Sequence, residues 1–152
     1  QILTKWIKIE NLRSFCKKFI LMFQKEVADR IIAKTNTKNY GRLAILSQWK
    51  MNIEKVMDIE PNSFNPSPKV RSTLLTFVPK KKYLKLKDPK NLEHITNIFF
   101  SQRRKMIKKP LKFLFKNYEE ISNKLNLDLT LRPQNLNNLA YYKICKIYEA
   151  LT

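Results

Sequence analysis

The residues best suited to chemistry in this sequence are cations in its C-terminal half. The segment Ser101-Gln102-Arg103-Arg104-Lys105 carries three of them, and Lys108 and Lys109 follow one helical turn later. Between positions 80 and 116 there are 13 lysines and arginines but only two acidic residues. Guanidinium groups bind phosphate oxygens through paired hydrogen bonds. The pattern favours a phosphate-contacting surface over a solvated helix face, although composition alone does not choose RNA over DNA.

A second candidate is the loop FNPSPK, which runs from Phe64 to Lys69. Pro66 and Pro68 restrict its backbone, so the loop can hold the aromatic ring in a fixed place. A rigid ring suits stacking on an extruded base. On these residues alone, a hydrophobic plug beneath the loop is the stronger interpretation.

A third candidate, Gln24-Lys25-Glu26, follows an apolar run. Ligand sites of α/β proteins gather at such strand ends. The residues alone favour surface side chains that open a helix.

Composition excludes several function classes. The formal net charge of +19 implies a polyanionic partner, and nucleic acid is preferred over an anionic membrane surface. The chain contains one histidine, His94, and two cysteines, Cys16 and Cys145, so a zinc cluster and a disulfide framework are excluded. Isolated cysteines fit a reducing, cytoplasmic compartment. No nucleophile–base pair is visible, and one glycine, Gly41, is too few for a cofactor-binding loop.

The elements that must position these residues fall into two parts. The predicted division is 1–79 for a mixed α/β piece, 80–88 for a basic linker and 89–152 for a helical domain. In the first part, the run FILMF (19–23) predicts a strand buried on both faces, and 51–60 and 72–78 predict antiparallel strands. In the first part, further predictions are a helix end at 1–9, helices at 25–33 and 43–49, and a polar loop at 35–41. In the second part, helices are predicted to start at 88–89 and at 118, Pro110 is predicted to break or restart the first of them, and Asn137 is predicted to cap a last helix.

Taken together, the motifs resemble one known family. LMFQKEVADRI (21–31), YGRL (40–43), SFNPSPKVRS (63–72) and FFSQRRK (99–105) occur in the order found in the small-subunit rRNA adenine dimethyltransferases. The similarity continues into RPQNLNNL (132–139). Two positions of the loop depart from the family pattern: Ser67 replaces a usual proline, and Arg71 replaces a common acidic residue. Pro110 also interrupts a helix that typical members continue.

The resemblance implies an α/β fold: the last three strands of a Rossmann-like methyltransferase sheet, followed by a small helical domain. It implies methyl transfer from S-adenosylmethionine to N6 of two adjacent adenines in a small-subunit rRNA hairpin loop. Phe64 then matches the aromatic residue that packs on the target adenine. Arg103, Arg104 and Lys105 match an rRNA-contacting segment, and we add Lys108, Lys109 and Lys69 to the expected RNA-binding residues.

The resemblance also implies that the cofactor-binding residues and the catalytic Asn-Leu-Pro-Tyr motif lie upstream of Gln1, so that this chain is an inactive fragment. We expect a cytoplasmic monomer whose partner is small-subunit rRNA in the pre-ribosomal particle. Two alternatives remain: a stand-alone RNA-binding module, and a large-subunit rRNA methyltransferase of the macrolide-resistance type.

Overall fold

The chain alternates short helices and strands as far as Pro79 and is helical from Pro89 onward. The computed structural model describes residue 9 and residues 12–151. The first part contains α1 (Leu12–Phe15), β1 (Phe19–Gln24), α2 (Lys25–Ile31), α3 (Arg42–Lys50), β2 (Met51–Ile59) and β3 (Ser72–Pro79). The second part contains α4 (Pro89–Ser101), α5 (Lys108–Leu114), α6 (Tyr118–Leu125) and α7 (Asn138–Leu151). The predicted helix end at 1–9 lies, apart from Ile9, outside the described residues.

The three strands form one antiparallel sheet in the order β1-β3-β2. Strand β3 is central, and its first residue, Ser72, pairs with both Gln24 of β1 and Ile59 of β2. The predicted antiparallel pairing of the second and third strands is therefore confirmed. Because β1 and β2 both run antiparallel to β3, their carboxyl ends meet at one edge of the sheet. The loop that carries Phe64 leaves from this same edge.

The prediction that the run 19–23 is buried on both faces is wrong. Ile20 and Met22 are 53% and 51% exposed. Phe19, on the opposite face, stacks on Phe77 of β3 with 5.2 Å between the ring centroids. Successive strand side chains point to opposite faces, and the described elements pack on only one of them. A continuous apolar run indicates that a strand is hydrophobic, but it does not indicate whether one or both faces of the strand are buried.

The helical part is built on α4 and α7, as their apolar spacing predicts. Leu92, Ile95 and Phe99 of α4 are fully buried. Asp88 caps α4 by accepting from the backbone N–H of Lys90 at 2.8 Å, and Asn137 caps α7 by accepting from that of Ala140 at 2.9 Å. Both predicted helix starts are confirmed. Pro89 is tolerated in the first turn of α4, because the N–H group that proline lacks would have no hydrogen-bond partner within the helix at that position.

Of the two outcomes predicted for Pro110, a helix break or a helix restart, the structure shows the restart. Helix α4 already ends at Ser101, and Pro110 lies buried in the first turn of α5. The cations of 103–105 therefore lie on an irregular connection between two helices.

Buried hydrogen bonds fix the helical part against the α/β part. The Tyr40 hydroxyl bonds to the Leu136 carbonyl at 2.9 Å and to Asn138 Oδ1 at 2.7 Å. The Tyr142 hydroxyl donates to the carbonyl of Ile45 at 2.8 Å. Helix α3 packs against both α4 and α7. One continuous hydrophobic core therefore fixes the position of the helical part relative to the sheet. The domain division at 80–88 stays a prediction.

Candidate nucleic-acid interface

Phe64 lies at the edge of the sheet where β1 and β2 end. The chain leaves β2 through a single 3₁₀ turn at Pro61–Ser63, and the backbone N–H of Phe64 then donates to the Pro61 carbonyl at 3.2 Å. The Phe64 side chain is half-buried, and a cis peptide joins Asn65 to Pro66. Ligand sites of open α/β sheets gather at the carboxyl ends of the strands. The loop therefore presents a partly accessible ring where such a site is expected.

The two positions that depart from the family pattern both close this loop. The Ser67 hydroxyl donates to the Pro61 carbonyl at 2.8 Å. Arg71 Nε donates to Glu60 Oε2 at 2.9 Å, which pairs the two ends of the loop. Backbone restriction by proline is thus supplemented by side-chain hydrogen bonds. This explains how the loop keeps a defined path with a serine where a proline is usual.

An ionic cluster at the same edge ties the loop to the third candidate segment. Asp58 accepts hydrogen bonds from Lys55 Nζ at 2.6 Å and Thr73 Oγ1 at 2.7 Å, and Lys25 Nζ lies 3.5 Å from it. The Lys55 and Thr73 hydrogen bonds lower the pKa of the Asp58 carboxyl to about 2. The Lys25 backbone N–H also donates to the Arg71 carbonyl at 2.9 Å. Lys25 therefore connects the start of α2 to the loop, which makes it a structural residue.

Arg103 is half-buried and hydrogen-bonded to two other segments of the protein, whereas Arg104 and Lys105 are exposed. Its Nη2 donates to the Lys38 carbonyl at 2.6 Å and its Nε to Gln134 Oε1 at 3.2 Å. These contacts join the connection after α4 to the loop 35–41 and to the 3₁₀ turn at Pro133–Asn135. Arg103 therefore positions the basic segment, and its predicted contact with RNA stays a prediction. Sequence reasoning missed both partners, which lie 65 and 31 residues from Arg103 along the chain.

The remaining predicted RNA-binding residues are exposed. Arg104 and Lys105 lie on the connection after α4, where the Lys105 N–H closes a turn onto the Gln102 carbonyl at 2.8 Å. Lys108 and Lys109 follow in the first turn of α5, and Lys108 Nζ lies 6.0 Å from the centre of the Tyr118 ring. Lys69 is separate from this group and lies in the Phe64 loop. We name the cluster of Arg104, Lys105, Lys108 and Lys109 the basic surface.

Within residues 12–151, no group of three or more histidine, cysteine, aspartate or glutamate side chains is arranged to hold a metal ion. None of the described helices is long and apolar enough to cross a membrane.

Comparisons with known proteins identify the same family as the motifs. A family model described as ribosomal RNA adenine dimethylase matches residues 1–152. The chain is 56% identical over 151 residues to ribosomal RNA small subunit methyltransferase A of Pelagibacter ubique, and 46% identical over 138 residues to the protein of that name in Ehrlichia ruminantium. These matches cover 99% and 90% of this chain but 58% and 51% of the relatives. The chain thus spans little more than half the length of these relatives.

Solved structures show the same fold. A dimethyladenosine transferase from Plasmodium falciparum matches with a TM-score of 0.76 and 26% identity, over 94% of this chain and 60% of that one. The 23S rRNA methyltransferase ErmE matches with a TM-score of 0.57 and 16% identity, over 88% of this chain and 55% of that one. The second likeness concerns the fold alone. The sheet and helices described above are accordingly part of a Rossmann-like methyltransferase fold.

Proposed function

This chain belongs to the ribosomal RNA adenine dimethylase family, and from that membership we propose that it supplies the rRNA-contacting part of an adenine dimethyltransferase. The proposed reaction transfers methyl groups from S-adenosylmethionine to N6 of two adjacent adenines in a small-subunit rRNA hairpin loop. The observation that carries the proposal is the 56% identity to a small-subunit methyltransferase over 99% of this chain.

The basic surface supports the proposed substrate. Its four cations are exposed, and they lie at the junction of α4 and α5. Helix α4 packs against α3, which in turn packs against β2. Phosphate contacts of this kind position a protein on nucleic acid and carry no sequence information themselves. We propose that the basic surface orients the rRNA helix while the target adenines reach the sheet edge.

Phe64 is the proposed adenine-contacting residue. The half-buried ring stands on a closed loop at the carboxyl edge of the sheet. An enzyme that modifies a base must extrude it and can hold it against an aromatic ring. We propose that Phe64 stacks on one face of the extruded adenine, and that Lys69 on the same loop contacts a neighbouring phosphate.

We propose that this chain does not itself form the site for the methyl donor. Close approach of backbone to such a cofactor uses several glycines, and Gly41 is the sole glycine of the sequence. The α3 helix that follows Gly41 is packed in the core. We propose that the cofactor is bound by the portion of the relatives that this chain does not span.

A chimera tests the proposal. This chain replaces the segment of the Pelagibacter ubique methyltransferase to which it aligns, and the product is given labelled S-adenosylmethionine and unmethylated small subunits. Methylation of adjacent adenines at the level of the unmodified relative supports the proposal. A folded chimera that binds rRNA without methylating it favours the stand-alone binding module.

The large-subunit alternative predicts a different substrate for the same chimera. Methylation of large-subunit rRNA in preference to small-subunit rRNA would support it. At present only the fold likeness to a 23S rRNA methyltransferase points that way. A cytoplasmic monomer acting on the pre-ribosomal particle is part of the proposal, and sedimentation of the purified chain tests the monomeric state.

A further inference from the structure

A small cavity opens between the end of α4 and the start of α5. Its volume is about 230 Å³, below the 300–1,000 Å³ typical of sites for drug-sized ligands. It therefore has room for a single ring system. The lining residues come from both helices and are Asn97, Ile98, Ser101, Gln102, Lys109, Pro110 and Phe113.

Phe113 is unusual because it is 74% exposed. Its neighbours on α5, Pro110 and Leu111, are buried in the helical core. Phe113 is thus an aromatic residue on the outer face of a helix that already has a packed face. Isolated exposed apolar residues are common, but this one lines a cavity and adjoins the basic surface.

The charges around the cavity fit a polyanion. Lys109 and Phe113 are four residues apart on α5 and therefore share one helix face. The connection that carries Arg104 and Lys105 starts at Gln102, which itself lines the cavity. A ligand ring on Phe113 would place an attached phosphate within reach of these cations.

Polar side chains on α4 can form hydrogen bonds with the edge of a base. Asn97 Oδ1 accepts from Arg42 Nη1 at 3.0 Å, which orients the side-chain amide and leaves its N–H groups as donors. The Ser101 hydroxyl donates to the Ile98 carbonyl at 2.8 Å, so its oxygen remains an acceptor. Unpaired RNA bases are recognised by this combination of aromatic stacking and edge hydrogen bonds.

We propose that this cavity binds one unpaired nucleobase of the rRNA, stacked on Phe113, with Lys109 on an adjacent phosphate. This base is distinct from the adenine proposed at Phe64, because Phe113 and Phe64 stand on different elements. The inference rests on the proposed function, since it takes rRNA as the ligand. With this cavity, the region of the basic surface would recognise an unpaired base in addition to contacting phosphates.

The test measures affinity of the full chain for two protein-free RNAs: a small-subunit rRNA stem-loop with unpaired nucleotides, and a fully paired duplex of equal length. Phe113→Ala removes the ring without changing charge, and Phe113→Tyr keeps a stacking ring. Met106→Ala is the matched control, since it removes an exposed apolar side chain without changing charge, and Met106 does not line the cavity. Because Phe113 is exposed, its substitution should leave thermal unfolding unchanged, and this is measured first.

Stacking of one base on an aromatic ring corresponds to about a 5- to 140-fold change in affinity. We expect Phe113→Ala to weaken stem-loop binding by that factor, with an unchanged salt slope and unchanged duplex binding. Phe113→Tyr should stay close to the original chain. Equal stem-loop affinity for Phe113→Ala and the original chain overturns the inference.

Other outcomes separate the competing explanations. If Phe113→Ala weakens binding to intact small subunits but not to protein-free RNA, the cavity binds a protein, and the inference is overturned while the proposed function stands. If the original chain binds neither RNA, the proposed function fails and the inference fails with it. If Phe113→Ala leaves stem-loop binding and methylation by the chimera unchanged, only the inference fails.

Discussion

Arg103 and Arg104 are adjacent arginines, yet alanine at each should produce opposite phenotypes. Arg103→Ala removes two hydrogen bonds from a charged donor, to the Lys38 carbonyl and to Gln134. A hydrogen bond to a charged group contributes about 1.5–3 kcal/mol, and because one of these two bonds is exposed we expect about 1.5–3 kcal/mol in total. For a chain of this size the loss lowers the melting temperature by roughly 3–12 °C.

Arg104→Ala should change stability by less than about 0.5 kcal/mol, because the side chain is exposed. It should instead weaken rRNA binding and reduce the slope of log affinity against log salt by roughly 0.7–0.9, the value of one phosphate contact. Thermal unfolding and salt-dependent binding are measured on both variants. Arg103→Lys is the control, since one ammonium cannot reproduce the guanidinium geometry.

Equal melting temperatures for the two alanine variants would refute the positioning role of Arg103. An unchanged salt slope for Arg104→Ala would refute the assignment of the basic surface to phosphate contact.

Three further predictions concern the framework. Phe99→Ala opens a cavity in the helical core and should cost about 3–5 kcal/mol in denaturant unfolding; a cost below about 1 kcal/mol would contradict the packing of α4. The two oxygens of the buried Glu149 carboxylate accept hydrogen bonds from the N–H groups of Lys87 and Asp88, at 2.8 and 3.0 Å; Glu149→Gln turns one of these oxygens into an amide donor that faces an N–H group, and should cost about 1–3 kcal/mol in the same assay. The folded-state pKa of Asp58 lies below its unfolded value, so its contribution to stability is complete above about pH 4 and is lost as pH falls toward about 2. Stability against pH is measured for both proteins, and Asp58→Asn should lose less stability than the original chain as the pH falls from about 4 to about 2. Identical stability profiles would contradict the lowered pKa of Asp58.

Local patterns predicted the helices well. The spacing of Leu92, Ile95 and Phe99 and the Asp88 cap depend on residues within one or two turns, and the structure confirms them. Strand pairing was also predictable, because the connection between β2 and β3 is too short for a crossover helix. In each case the structure is determined by residues that lie within one or two helical turns or one short connection along the chain.

Long-range contacts were not predictable in the same way. The sequence cannot show that the Arg103 guanidinium donates two hydrogen bonds within the protein, because its partners come from distant loops. Nor can hydrophobicity tell how many faces of β1 are covered, as exposed Ile20 and Met22 demonstrate. Phe113 was overlooked for a related reason: an apolar residue on a short helix is expected in the core, and here that face is already filled by Pro110 and Leu111.

The most direct test of the central claim is the rate of adenine methylation by the chimera that carries Phe64→Ala, measured beside Phe64→Tyr and with rRNA affinity determined in parallel. If Phe64 stacks on the target adenine, the alanine variant should lose about 5- to 140-fold in rate, the tyrosine variant should keep most of it, and both should bind rRNA through the basic surface as before. Equal methylation rates for the alanine variant and the unsubstituted chimera would contradict the account.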